Sequence, residues 1–156
     1  MATSRAQLRA ERERGLVRAT RALFDQRGLQ DAPIEEIARA VGIQRGQVYR
    51  HFSSKEELFV LTVTDYLDEL ADLLRLAADA PGDHVSRAER IAQAYAGFGA
   101  RYPAFLDCSL SLMRRPAGDL RAVVGDSVWN RLGQGMADCL GTVSYTHLTL
   151  PTKRIV

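Results

Sequence analysis

Two short amphipathic segments that meet at a glycine constrain this chain more than any other part of its sequence. They lie within residues 34–52, and each has an apolar side at helical spacing. Gly42 stands between them, where a tight turn needs a backbone conformation that glycine adopts at little cost. We therefore predict two short helices whose apolar residues pack inward, namely Ile34, Ile37, Ala38, Val41, Ile43, Val48 and Phe52.

The flanking residues complete a three-helix head over residues 1–57. Arg5–Arg27 should form the first helix, and Gly28 follows it as a left-handed C-cap. Pro33 suits the first position of the second helix, predicted over 33–41, because its missing N–H would have no partner there anyway. The third helix is predicted over 44–52. Its inward residues leave Arg45, Gln47, Tyr49 and Arg50 facing outward.

The remainder predicts a helical body over residues 58–142, so the expected fold class is all-α. Ser54 and Glu57 have capping-box spacing and open a long fourth helix that ends near Ala80. After a break at 81–83, helices are predicted over 85–99, Pro103–Met113 and 120–140, and no strand is expected in residues 1–143. The predicted apolar stripes are Ile91, Ala94, Tyr95 and Phe98, then Val123, Val124, Val128, Leu132, Met136 and Leu140.

The outer face of the third helix has the chemistry of a base-reading surface. A major groove about 12 Å wide admits such a helix. An arginine such as Arg45 can bind guanine O6 and N7 together, and a glutamine such as Gln47 can bind adenine N6 and N7, each pair giving roughly 1–3 kcal/mol of discrimination. A merely solvated helix face is the alternative interpretation of these side chains.

Residues 10–62 resemble the TetR family of bacterial transcriptional regulators. The matching segments are 24–28, 37–38, 41–43, 45–46, 49–52 and 54–58, whereas residues 63–142 are similar in architecture alone. The resemblance implies a DNA-binding regulator, most often a repressor, that acts as a homodimer on a palindromic operator and responds to a small-molecule effector. It also implies two further long helices that form the dimer interface, which this chain would lack, so the homodimer is expected of the full-length protein, and the fragment is either a dimer or a monomer that engages one half-site.

The resemblance also implies individual roles. Tyr49 and Lys55 would bind phosphates, Gly46 would allow close approach, and His51 would lie beside the DNA backbone or stabilise the helix end. The residues predicted to face DNA are Arg45, Gly46, Gln47, Tyr49, Arg50, His51 and Lys55. Ala32 departs from the family, which usually has Thr or Ser as N-cap there, and alanine costs about 1 kcal/mol relative to these residues. The arginines of the N-terminal arm, Arg5, Arg9, Arg12 and Arg14, would reach a minor groove or extend a solvated helix.

The body carries fewer chemical signals. Its aromatic and apolar residues line a predicted effector pocket or form plain core; they are Phe98, Tyr102, Phe105, Leu112, Met113 and Trp129. Cys108 and Cys139 lack partners at metal spacing and are predicted to be buried free thiols. His84 should be exposed beside the 81–83 break.

Composition and motifs narrow the function classes. The whole sequence is nearly balanced, with 21 Lys and Arg against 19 Asp and Glu. Residues 1–57 hold 11 basic against 8 acidic side chains, whereas residues 58–143 hold 8 basic against 11 acidic ones. This uneven distribution is consistent with a basic nucleic-acid-binding head. No apolar run reaches the roughly 20 residues that span a membrane, and no secretion signal is evident, so a cytoplasmic protein is expected. No catalytic motif is present; we expect neither an enzyme nor a cofactor or metal site.

The last residues of the chain and an alternative function need separate mention. Residues 143–156 lose helical periodicity and resemble a translated sequencing adapter, so Tyr145, His147 and Lys153 should carry no function; a genuine irregular tail is the alternative. A helical interaction or ligand-sequestering protein that has lost DNA binding is the alternative function, and Ala32 gives it slight support.

Overall fold

The computed structural model of this protein describes residues 4–28 and 32–148, and every regular element in those ranges is a helix. The predicted all-α fold is confirmed. The helices are α1 (Arg5–Arg27), α2 (Ile34–Ala40), α3 (Arg45–Val48), α4 (Lys55–Asp79), α5 (His84–Arg101), α6 (Pro103–Met113) and α7 (Ala117–Leu148). None of the described helices has the length and apolar character needed to cross a membrane.

The first helix has the bounds that the sequence predicts. Ser4 and Gln7 form a reciprocal cap at its start, in which Gln7 N donates to Ser4 Oγ and Ser4 N donates to Gln7 Oε1. At its other end Gly28 has a φ of +81°, and its N–H donates to the Phe24 carbonyl at 2.8 Å. Leu16 and Phe24 are buried in the head core, which places α1 beneath the two short helices.

The start of α2 differs from the prediction. Pro33 is the N-cap in an extended conformation, and Ile34 is the first helical residue. Ala32, which we predicted to be a poor cap, is instead 1% exposed and belongs to the head core. Its small apolar side chain therefore serves packing rather than capping.

α4 joins the head to the body and is buried along most of its length. Ser54 caps it by accepting a hydrogen bond from Glu57 N at 3.0 Å. The predicted capping box is incomplete, because the Glu57 carboxylate accepts from Ser53 N and Oγ instead of Ser54 N. α4 packs most extensively against α7, where Gly135 allows close approach: a Cβ there would lie 3.3 Å from Leu67 Cβ.

A charged and aromatic cluster ties α1 to α4 and to the α5–α6 junction. The Arg21 guanidinium donates to Asp65 Oδ2 at 2.8 Å and to Glu69, and it lies over the rings of Tyr66 and Tyr102 at 4.1 and 4.7 Å. Burial by itself lowers the pKa of Arg21, but the two carboxylates overcome this and hold the pKa above its usual range. The cluster fixes how the head sits on the body.

Some predicted core positions in the body are exposed. Tyr95, Val123, Met136 and Leu140 are each about half exposed or more, whereas Val124 and Leu132 of the same stripes are buried. The φ of +79° at Gly125 interrupts α7, so one unbroken helix over 120–140 was wrong.

The start of the suspected tail is also helical. α7 continues to Leu148, past residue 143 where the loss of periodicity predicted an irregular chain. Lys153 and the rest of 149–156 lie outside the described residues, as do residues 1–3 and 29–31.

Candidate nucleic-acid interface

The surface around α3 is built on two buried anchors. Val48 is 1% exposed and Phe52 is 3% exposed, which confirms the predicted inward side. α3 itself is shorter than the predicted 44–52. The hydrogen bonds of Arg50 N and His51 N run to residues three positions earlier, so the chain tightens into a turn after Val48.

The turn before α3 has the predicted geometry. Gly42 has a φ of +72°, and a Cβ there would meet no atom within 4 Å, so backbone conformation rather than space favours glycine. Ile43 N donates to the Ala38 carbonyl at 3.0 Å, which closes the turn. The turn thus fixes the angle at which α3 leaves α2.

Six of the seven residues predicted to face DNA are exposed. Arg45, Gly46, Gln47, Tyr49, Arg50 and Lys55 are all exposed, and His51 is partly buried. Lys55 is the first residue of α4, where the helix N-terminus favours a phosphate. Three cations and a phenol are therefore accessible to solvent on α3, in the turn that follows it and at the start of α4.

Two of the exposed side chains, Arg45 and Gln47, already have partners. Arg45 Nη1 donates to Glu35 Oε1 at 2.8 Å, but both side chains are at least half exposed, and such ion pairs contribute little. Gln47 Oε1 accepts from Gln44 N at 2.8 Å and so caps α3. Bidentate binding of adenine needs both the oxygen and the amide N–H of Gln47. In this conformation its oxygen is therefore occupied.

His51 contacts the first helix. Its Nδ1 lies 3.4 Å from Glu13 Oε1, and Glu13 also accepts from Arg9 Nε at 2.8 Å. This contact joins the turn after α3 to the middle of α1, and the two roles predicted for His51 stay predictions. Arg9 of the N-terminal arm is ion-paired with Glu13 on α1. The other arginines of the arm, Arg5, Arg12 and Arg14, are exposed, as is Arg9 itself.

The predicted effector-pocket residues are only partly brought together. Phe98, Tyr102 and Phe105 pack in one cluster with ring centroids 4.9 and 5.2 Å from Phe98. Met113 is 75% exposed at the end of α6, and Trp129 is partly buried on α7. Leu112 is partly buried beside the core.

The cysteines and His84 have the predicted environments. Cys108 and Cys139 are buried free thiols, and burial raises the pKa of Cys108 to about 12, which disfavours the reactive thiolate. His84 is exposed. Among the described residues, no group of three or more His, Cys, Asp or Glu side chains is placed to hold a metal ion.

Sequence reasoning did not find the Arg21 cluster. Its ion pairs join residues 44 and 48 positions apart, and local periodicity carries no signal for such a pairing. It nevertheless connects the head directly to the helix that begins at Lys55.

Comparisons with known proteins agree with this geometry. The family model of the bacterial regulatory proteins, tetR family, matches residues 16–61. The chain is 32% identical over 90 residues to the HTH-type transcriptional activator FasR of Mycolicibacterium smegmatis, covering 58% of this chain and 41% of FasR. It is 36% identical over 61 residues to the HTH-type transcriptional repressor KstR2 of the same species, covering 39% and 30%.

The fold has a solved counterpart over most of its length. A TetR family transcription regulator from Marinobacter aquaeolei superposes with a TM-score of 0.61 at 17% identity, covering 92% of this chain and 72% of that one. At this identity the likeness concerns the fold alone. The chain spans less than half the length of the curated relatives that it matches.

Proposed function

Because the N-terminal part of this chain belongs to the tetR family of bacterial regulatory proteins, we propose that the protein is a sequence-specific DNA-binding transcriptional regulator that acts as a ligand-responsive repressor. The single observation that supports this most directly is the exposed face of α3. Val48 and Phe52 are buried beneath it, while Arg45, Tyr49 and the neighbouring Lys55 at the start of α4 are exposed.

The surface divides its work between two kinds of contact. Tyr49 and Lys55 bind phosphates, which position the head but carry no sequence information. Arg45 exchanges its exposed carboxylate partner for a guanine edge, because the pair with Glu35 is weak in water. Gln47 reads a base only through its amide N–H while its oxygen caps α3.

Two copies of the chain occupy a palindromic operator in this proposal. A two-fold dimer would place its recognition helices about 34–36 Å apart, or at a multiple of that spacing. Apolar side chains exposed on the body support such an assembly; they include Leu106, Leu110 and Met113 on α6 and Met136 and Leu140 on α7. Each set recurs at a spacing of three or four residues and so forms one stripe.

The effector response is assigned to α4. An effector in the body shifts this helix and separates the two heads from their operator spacing. Binding can do so only by favouring the separated arrangement over the DNA-competent one. The Arg21 cluster supports this route, since it joins α1 to α4 and to Tyr102 at the α5–α6 junction.

The test is selection from random duplex DNA with the purified chain at two salt concentrations, because phosphate contacts make the affinity salt-dependent. An inverted repeat is expected for a dimer, and a single half-site for a monomer. The matched variants are Arg45→Ala and Arg121→Ala. Both arginines are exposed and ion-paired, with side-chain exposures of 63% and 55%, but Arg121 lies on α7.

Arg45→Ala together with Tyr49→Phe should abolish selection, whereas Arg121→Ala should leave the selected sequence unchanged. A folded, helical wild-type chain that enriches no sequence at low salt would refute the proposal.

A further inference from the structure

A cavity of about 240 Å³ lies between the head and the body, and Lys55 is the one residue of its lining that belongs to the proposed DNA contacts. Its walls come from α1, α2, α4 and α6, so it is distinct from the aromatic cluster around Phe98. The apolar part of the wall is formed by Phe24, Ile34, Ile37, Leu58 and Phe59, all less than 10% exposed. These residues offer a preformed apolar surface to a small molecule.

Polar groups border one side of this cavity. They are Thr20, Lys55, Glu56, Ser111 and Arg115. Within the described ranges neither Lys55 nor Arg115 has a carboxylate within 4.0 Å, and the Arg115 guanidinium carbon lies 6.0 Å from the centroid of the Phe59 ring. Two cations without ion pairs therefore stand at the edge of an apolar wall.

We propose that this head–body cavity binds a small amphipathic monoanion, a carboxylate attached to a short apolar body. An arginine fork matches the two oxygens of a carboxylate, and the apolar body would cover the phenylalanine and isoleucine wall. Glu56 borders the same cavity and repels a second negative charge, which favours a carboxylate over a phosphate dianion. The volume lies below the roughly 300–1,000 Å³ of drug-sized ligand sites, so the ligand is small.

Occupancy of the cavity weakens DNA binding, and this part rests on the proposed function. Lys55 borders the cavity and is also the proposed phosphate contact at the start of α4. A bound carboxylate competes with DNA phosphate for its ammonium group. By linkage, DNA must then weaken carboxylate binding by the same factor.

Calorimetric titration of the purified chain with octanoate tests the site without DNA. Octanol carries the same apolar chain without charge, octylamine carries the opposite charge, and octyl phosphate carries more negative charge; all are used below micelle-forming concentrations. Arg115→Gln removes the carboxylate partner. Arg114→Gln is the matched control, because the adjacent Arg114 borders the neighbouring cavity and not this one. Ser111→Phe fills the cavity without removing a charge.

Octanoate should bind saturably and raise the thermal midpoint, as any ligand that prefers the folded state does. Octanol and octylamine should bind at least about tenfold more weakly, and Arg115→Gln should weaken octanoate binding by about tenfold, which corresponds to about 1.4 kcal/mol. Ser111→Phe should abolish binding, and Arg114→Gln should leave it unchanged. Circular dichroism establishes that each variant is folded.

Several results would overturn the proposal: octanol binding as tightly as octanoate, octyl phosphate binding more tightly, or a folded Ser111→Phe chain that retains wild-type binding. The effect on DNA is measured separately, as a fall in affinity for the selected operator when octanoate is added. If the chain binds no DNA at all, the proposed function fails, but the calorimetric result still decides the site.

Discussion

Replacing Arg21 with methionine should destabilise the folded chain by about 2–3 kcal/mol. The Arg21 side chain is 13% exposed, and it is the partner of Asp65 and Glu69, which are 38% and 34% exposed. Removing one member of a buried ion pair costs roughly 3–5 kcal/mol, but water screens these half-buried carboxylates and reduces the cost. Methionine keeps most of the apolar contact with Tyr66 and Tyr102, so the loss of stability measures the effect of removing the charge.

Urea unfolding followed by circular dichroism measures the change, and the thermal midpoint should fall by about 5–10 °C. Arg18→Met is the control, because Arg18 is an exposed arginine on the same helix; its effect should stay within about 0.5 kcal/mol. Combining Arg21→Met with Glu69→Gln should cost less than the sum of the two single changes, since both disrupt one interaction. Equal losses for Arg21→Met and Arg18→Met would show that the cluster does not hold the head on the body.

Three further predictions concern Gly135, Gly42 and Tyr66. Gly135→Ala should destabilise the chain by about 1–3 kcal/mol, because the new Cβ would lie 3.3 Å from a leucine of α4, whereas Gly133→Ala meets no atom within 4 Å and should be neutral or stabilising in thermal unfolding. Gly42→Ala should cost about 1–2 kcal/mol because its φ is +72°, while Gly46→Ala should leave the unfolding midpoint unchanged and weaken operator binding by crowding the DNA. Burial and a hydrogen bond to the Asp25 carboxylate raise the pKa of Tyr66 in the folded chain. Its contribution to stability is therefore complete below about pH 10 and is lost above that pH, where the tyrosine of the unfolded chain ionises. Tyr66→Phe should flatten this loss in urea unfolding at increasing pH, and an unchanged pH profile would show that Tyr66 is not its source.

The local parts of the fold could be predicted from the sequence because their causes are local. Gly28 and Gly42 both have positive φ, and the spacing of Val48 and Phe52 gives the inward side of the head. The predicted alanine cap was wrong because Ala32 is buried in the core and Pro33 takes the N-cap position, and a capping preference does not describe burial. At Ala32 tertiary packing outweighs the preference for a capping residue.

The parts that could not be predicted depend on contacts between distant segments. Met136 and Leu140 follow the apolar stripe of α7, yet both are exposed, because periodicity identifies a face but not whether anything covers it. Gln47 shows a related limit in the interface. Gln47 lies three residues after Gln44, so its side chain can cap α3 as well as face a base. Only the structure reveals that it forms the cap.

The position of α4 explains why the proposed effector response and the proposed DNA contact involve the same helix. Its first residue, Lys55, belongs to the exposed surface beside α3, while its later turns are enclosed by α1, α5 and α7. A buried, close-packed helix transmits displacement rather than absorbing it, because neighbouring side chains leave few voids to deform into. A change at the α5–α6 junction that moved Tyr102 would therefore act on Arg21 and on α4 together, and the head would move with them.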